Sequence, residues 1–185
     1  MSDKPLKSFR ARVVTASDSR SAGENVDTVG PMLTRALQDL GADAGPPILV
    51  PDEKGAIVDI LTKLVDEDGI DLIITTGGTG LGPRDLTPEA TREVVAKEIP
   101  GLAEFMRHEG GMQTSRAYLS RGIAGIRGRS MIVNVPGSER GAKQSLDALM
   151  PLIPHALETI RGETRECGKK TGDLDEFHTH PERSE

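Results

Sequence analysis

Residues 71–76, Asp-Leu-Ile-Ile-Thr-Thr, run directly into Gly77-Gly78-Thr79-Gly80-Leu81-Gly82. A stretch this short, apolar and β-branched reads as a strand covered on both faces, which places it inside a sheet flanked by helices. The glycines that follow have no Cβ, so the chain turns sharply there and a ligand can come close to its backbone.

Two other runs share that character. Residues 11–16, Ala-Arg-Val-Val-Thr-Ala, form one, and Ile48-Leu49-Val50, ended by Pro51, forms the other. Between them Val29, Leu33, Leu37 and Leu40 recur at helical spacing, and Gly41 supplies a stop. After Pro51, the residues Ile57, Ile60, Leu61, Leu64 and Val65 mark one face of a second helix. Strand, helix, strand, helix, strand at this pace predicts parallel βαβ units with right-handed crossovers. The expected fold is α/β, three-layer, with a mostly parallel sheet and helices on both faces. Ligands in such sheets sit off the carboxyl ends of the strands, which directs attention to residues 17–23, 51–55 and 77–85.

Thr87-Pro88 reads as an N-cap with proline in the first turn, opening a helix that ends near Pro100. Leu102, Phe105 and Met106 mark another helix running to Gly110-Gly111, and residues 115–119 have helical character. Residues 130–135, Ser-Met-Ile-Val-Asn-Val, read as a last buried strand delivering Pro136-Gly137 to the same row of strand ends. Over residues 142–161 the apolar period is helical, and Pro151 and Pro154 require a kink or a break.

A chain of 185 residues is long enough to bury one core unaided, and only 2% of it is aromatic, so that core must be aliphatic. The expected domain spans residues 9–162, behind an extension at 1–8. Residues 163–185 are charged and poor in apolar side chains, the composition of a disordered tail. A net charge of −6 argues against sequence-blind nucleic-acid binding, which depends on Lys and Arg neutralising phosphates. The single cysteine, Cys167, excludes an internal disulfide and a Cys-rich metal site. With no apolar run of signal-peptide or membrane-span length, a cytoplasmic protein without a membrane partner is expected.

Each candidate motif has a bland reading beside the chemical one. The Gly77, Gly78, Thr79, Gly80 cluster is a tight turn or an anion-binding nest of backbone amides, and its spacing fits neither a Walker loop nor the dinucleotide fingerprint. Asp85 complements a helix dipole or holds a cation beside phosphates. Asp52 caps a helix or joins Asp85 across one crevice, where two carboxylates coexist most easily with a shared divalent cation. Ser17 and Asp18 make a turn or touch a ligand. Ser120 and Arg121, with Ser115 and Arg116 nearby, are solvated or donate to an oxyanion. Pro136, Gly137 and Ser138 form a plain turn or a ligand contact, with Lys143 one turn beyond. His178 and His180 are incidental or chelate a metal. No Ser-His-Asp or Cys-His arrangement is evident.

Taken in order, Thr15-Ala16-Ser17-Asp18, Val50-Pro51-Asp52-Glu53, Thr76-Gly77-Gly78-Thr79-Gly80 with Pro83-Arg84-Asp85-Leu86-Thr87-Pro88-Glu89-Ala90, Leu119-Ser120-Arg121 with Ala124-Gly125-Ile126-Arg127-Gly128, and Asn134-Val135-Pro136-Gly137 resemble the molybdopterin adenylyltransferase (MogA/MoaB) family, which includes the G domains of gephyrin and of the plant enzyme. The resemblance covers about residues 9–162. It implies a cytoplasmic homotrimer that joins AMP from Mg-ATP to the terminal phosphate of molybdopterin, releases pyrophosphate, and hands its product to a separate metal-insertion protein. By resemblance Asp52 and Asp85 are the two catalytic carboxylates and the ligands of a Mg²⁺ that comes with ATP. Gly77, Gly78, Thr79, Gly80, Pro136 and Gly137 correspond to nucleotide-binding positions, and Ser17, Asp18, Ser120, Arg121 and Ser138 to molybdopterin-binding ones. Ser138-Glu139 departs from the family's small polar residue followed by proline. A paralogue that binds molybdopterin, or serves as a trimeric scaffold, without adenylyl transfer is the alternative.

Overall fold

The computed structural model describes residues 8–163. Its seven-stranded sheet has β4 (Leu72–Thr76) between β1 (Phe9–Ala16) and β7 (Ser130–Val135), and all five β4 residues are buried, as a mid-sheet strand requires. Beyond β1 lie β2 (Ala42–Ala44) and β3 (Ile48–Val50), both parallel to it. They pair with residues 9–11 and 14–16 of β1 respectively, so they form one edge strand interrupted at Gly45-Pro46-Pro47. Beyond β7 come β6 (Ala124–Arg127) and then β5 (Lys97–Glu98), both antiparallel to their neighbours.

Alternate side chains of these strands supply two cores, the period of two expected of a pleated strand. Ala11, Val13, Leu72, Ile74, Met131 and Val133 face α2 (Val29–Asp39), α5 (Pro100–Gly111), α6 (Glu139–Leu149) and α7 (Ile153–Ile160). Val14, Ala16, Ile73 and Ile132 face α3 (Lys54–Asp66) and α4 (Thr87–Val94). Three layers result, and the filling is aliphatic: Phe9 is the one aromatic among the largest fully buried side chains of the described residues. Truncating one of these, as in Leu61→Ala, costs about 2–5 kcal/mol.

Several expectations shift by a local cause. The stretch at 17–23 holds a short helix, α1 (Asp18–Ser21), because the Ser17 Oγ accepts from the Arg20 N–H. Thr87 is not a cap: Leu86 holds that position, while the Thr87 hydroxyl is buried with no partner among the described residues and Pro88 keeps its first-turn place. The helix expected to reach Pro100 ends at Val94, since β5 intervenes to pair with β6. Residues 115–119 make a 3-10 turn. Pro151 and Pro154 do break the last helical region in two, into α6 and α7. The 163–185 tail with Cys167, His178 and His180 falls, apart from Glu163, outside the described residues, as do residues 1–7 of the extension.

Candidate active site

The strands β3, β1, β4 and β7 end level. Ala16 stands opposite Val50, Thr15 opposite Thr76, and Thr76 opposite Val135. Their exits into Asp52, Ser17, Gly77 and Pro136 therefore lie side by side, in the crevice where open α/β sheets bind ligands. The glycine loop fits because its first two residues are left-handed, Gly77 at φ 95° and Gly78 at φ 60°. A Cβ at Gly77 would strike the Ala16 carbonyl, and one at Gly78 would strike the Thr87 hydroxyl with Asp52 Oδ1 3.4 Å away. The Thr76 hydroxyl donates to the Pro136 carbonyl at 2.8 Å, and a Cβ at Gly137 would lie 3.0 Å from the Gly77 Cα, so the Pro136-Gly137 turn is seated directly on the loop.

Two carboxylates flank that loop, each with one oxygen fixed. Asp52 Oδ2 accepts the Asp18 N–H at 3.0 Å, and Asp18 Oδ1 accepts the Asp52 N–H at 2.9 Å, a reciprocal brace between the β1 and β3 exits. Asp85 Oδ2 accepts the Gly82 N–H at 2.7 Å. The other oxygens, Asp52 Oδ1 and Asp85 Oδ1, accept no hydrogen bond from the described residues. Asp18 itself is fully engaged, because its Oδ2 takes the Arg84 Nε at 3.1 Å and Nη2 at 2.6 Å. The Asp52 N–H, then the Arg84 guanidinium, hold Asp18 below the ordinary aspartate range. Asp52 goes the other way: burial first, then the charges of Asp18 and Asp85, push its carboxyl up against the Asp18 N–H and the Arg84 charge. Asp52 and Asp85 thus feel each other across one space.

That space is a cavity of about 510 Å³ lined by Ser17, Asp52, Gly77, Gly78 and Asp85, with Arg20, Asn25, Val26 and Arg84 around it. A second cavity of about 440 Å³ opens on the other side of the loop, against Thr79, Gly80, Ser120, Pro136 and Ser138. Ala103, Met106 and Leu119 give it apolar surface, and Arg107, Arg116 and Arg140 give it charge with no carboxylate among its lining residues. Both volumes are in the range of small-molecule sites.

The residues assigned to molybdopterin by resemblance do not share one cavity. Ser120 and Ser138 line the second, Ser17 lines the first, and Asp18 serves as the brace. Arg121 turns away from both: its guanidinium donates to the Gly80 carbonyl at 2.6 Å, to the Asp85 carbonyl and to the Glu89 carboxylate. Burial pushes the Glu89 carboxyl up, but the Arg121 hydrogen bond and the Arg121 and Arg92 charges outweigh it and hold the group low. The nucleotide positions divide too, Gly77 and Gly78 to the first cavity, Thr79, Gly80 and Pro136 to the second. Lys143 pairs with Asp147 at 2.6 Å and lines neither.

Other residues here carry no sequence motif. Asp27 accepts from the Thr15 hydroxyl at 2.8 Å and from the Val29 and Gly30 N–H groups, tying the end of β1 to the start of α2. An Asp two residues before a helix is its only sequence signal. Arg107 and Arg140, on α5 and α6, look like ordinary solvated helix residues until the helices pack together.

Among the described residues no group of three or more His, Cys, Asp or Glu is arranged for a metal. Two open carboxylate oxygens suit Mg²⁺ arriving with phosphates, since that ion takes one or two carboxylates and completes its shell with phosphate and water. No helix of the described residues is long and apolar enough to cross a membrane.

Fold and crevice together define a three-layer α/β domain with an acidic and a cationic cavity on either side of one glycine loop. Residues 12–155 match the family described as "Probable molybdopterin binding domain". The molybdopterin adenylyltransferase of Helicobacter pylori J99 is 36% identical over 170 residues, 89% of this chain and 95% of that protein. The Drosophila melanogaster molybdenum cofactor synthesis protein cinnamon is 40% identical over 156 residues, which are 84% of this chain and only 26% of that protein. The crystal structure of the molybdopterin biosynthesis enzyme MoaB from Thermus thermophilus superposes with a TM-score of 0.79 at 48% identity, covering 83% of this chain and 97% of that one. The chain belongs to this molybdopterin-binding family of molybdenum cofactor biosynthesis.

Proposed function

We propose that the chain transfers AMP from Mg-ATP to the terminal phosphate of molybdopterin and releases pyrophosphate. The observation that carries this is the pair Asp52 and Asp85 on one cavity, each braced by one oxygen and open at the other. A near-full-length relative named for this activity supports it.

A phosphate oxygen of molybdopterin attacks the α-phosphorus, and the bond to the bridging oxygen of the β-phosphate breaks, the electron pair leaving with pyrophosphate. The attacking phosphate is already ionised, so no protein base or nucleophile is required, and the chain's work is positioning and charge compensation. Asp52 and Asp85 would hold the Mg²⁺ that accompanies ATP, which would supply charge compensation for the triphosphate. The cavity beside Asp52 takes the nucleotide: the side-chain-free edge of Gly77 and Gly78 admits its phosphates, Arg20 faces them, and the exposed Val26 offers an apolar surface for the base. The cationic cavity takes the pterin and its phosphate, with Ala103, Met106 and Leu119 against the ring and Arg107, Arg116 and Arg140 around the anionic groups. Because the two cavities meet at residues 77–80, the reacting phosphates meet there. Arg84, Arg121 and Lys143 each pair with a protein carboxylate, whereas among the described residues Arg116 and Arg140 pair with no carboxylate and Arg107, steadied by the Ser120 and Gly122 carbonyls, keeps its charge uncompensated.

The test is pyrophosphate release from Mg-ATP with molybdopterin. Release that depends on both substrates supports the assignment. Pterin binding without release would make the chain a non-catalytic relative. By the same family resemblance the enzyme is a cytoplasmic homotrimer that delivers its product to a metal-insertion protein; light scattering of the purified chain at three times 19.8 kDa checks the first point.

A further inference from the structure

Arg121 belongs to a segment that touches both halves of the crevice. Ser120 and Gly122, on either side of it, line the cationic cavity. Its own N–H donates to the Thr79 carbonyl at 2.9 Å, and its guanidinium reaches Gly80 and Asp85 by their carbonyls. One residue thus grips the glycine loop at two successive peptides and grips the chain at Asp85, whose carboxylate faces the other cavity. Its remaining tie is Glu89 on α4, whose second oxygen is buried without a partner among the described residues. A planar fork with donors fixed in direction sets such a geometry in a way that a lysine ammonium cannot.

We propose that Arg121 is a positioning residue for adenylyl transfer, locking the glycine loop and Asp85 into register and coupling occupancy of the cationic cavity to the placement of Asp85. This rests on the reaction proposed above, which assigns Asp85 to catalysis. A ligand seated against Ser120 and Gly122 acts on the backbone that carries the clamp. Among the described residues the Asp85 side chain has one hydrogen bond, from Gly82 in its own turn, so its position relative to the loop depends on what holds its carbonyl. Glu89 in turn orients the guanidinium from α4.

The experiment compares wild type with Arg121→Gln, Arg121→Lys and Glu89→Gln. It reads pyrophosphate release and, separately, calorimetric binding of Mg-ATP and of molybdopterin, each with and without the other ligand. Misplacement of a reacting group by about an ångström is worth roughly a hundredfold in rate, so kcat should fall about ten- to a hundredfold in Arg121→Gln. KM for each substrate should stay within about twofold, Arg121→Lys should recover little, and Glu89→Gln should reproduce a smaller loss. The mutual effect of the two ligands on each other's affinity should shrink toward none in Arg121→Gln. A folded Arg121→Gln with wild-type kcat and unchanged coupling overturns the proposal. So does selective loss of molybdopterin affinity with kcat preserved at saturation, which would make Arg121 a ligand contact. If Arg121→Gln does not fold, Glu89→Gln decides by the same readouts. If wild type itself releases no pyrophosphate, the reaction assigned above fails, and coupling between the ligands then decides the clamp alone: its loss in Arg121→Gln supports the clamp and its persistence overturns it.

Discussion

The two cavities adjoin along one glycine loop, Gly77 and Gly78 lining the first and Thr79 and Gly80 the second, yet they are built on opposite principles. Beside Asp52 the acidic groups are held by backbone: Asp18 and Asp52 exchange N–H bonds across two strand exits, and Asp85 folds back on Gly82. Beside Ser120 the lining charges are all arginine, carried on α5, on α6 and on the turn between them, in a chain whose net charge is −6. Anions with open oxygens suit a cation brought by a triphosphate, and guanidinium groups with several directed donors suit the phosphate and carbonyl oxygens of an organic anion. The difference is one of sign and of what carries the charge, backbone-braced carboxylates on one side and helix-borne arginines on the other, and it can be broken on either side.

The largest effect should come from Asp85→Asn, which keeps shape and removes charge. Loss of an anion that holds a charge-compensating metal removes several kcal/mol of transition-state stabilisation, roughly a thousandfold or more in turnover. Calorimetric binding of molybdopterin to the cationic cavity should be unchanged; a parallel loss there would merge the two cavities into one functional unit.

Acid titrates the same device. Because the folded Asp52 carboxyl lies above the ordinary aspartate value, its ionised form costs stability above the folded pKa, and that cost disappears as pH falls through it. Turnover should therefore be lost at a higher pH than an ordinary aspartate would give, while this group's contribution to folding improves over the same window. Saturating Mg-ATP should move the acid limb of the rate profile downward, since a bound cation favours the carboxylate. Asp52→Asn should remove this group's part of the pH dependence of the denaturant midpoint.

Gly78→Ala attacks the loop between the cavities from its acidic side. A left-handed φ of 60° and a collision with the Thr87 hydroxyl should cost about 1–3 kcal/mol in chemical denaturation, with turnover reduced further by displacement of the Asp52 side. Arg140→Ala perturbs only the cationic side and should weaken molybdopterin about tenfold, the scale of one charge-assisted hydrogen bond, leaving Mg-ATP affinity intact. The smallest effect belongs to Ser138→Ala, which removes the cap that accepts the Gly141 N–H and should cost about 1 kcal/mol of stability.

Strand runs and the glycine cluster made one side of this site legible in the sequence. Asp52 and Asp85 stand out because they follow strands whose apolar runs are unambiguous, and parallel strands deliver such exits to a common edge. Arg107 and Arg140 do not stand out, because a charged helix residue looks solvated until α5 and α6 are packed. Arg121 was legible as a donor but not in its direction, which the carbonyls of Gly80 and Asp85 determine. Strands β2, β5 and β6 escaped for a related reason: Ala-Asp-Ala, Lys-Glu and Ala-Gly-Ile-Arg have little intrinsic strand character and owe their form to neighbours already in place.

The break at Gly45-Pro46-Pro47 has a consequence for how molecules meet. An unbroken outer strand would offer a continuous row of free N–H and C=O groups to any passing chain. Here the rim is divided into two three-residue pieces by prolines that have no hydrogen to donate, and the opposite rim is two exposed charged residues, Lys97 and Glu98. Neither border offers the long flat ladder on which cross-molecular β-pairing and fibril growth begin.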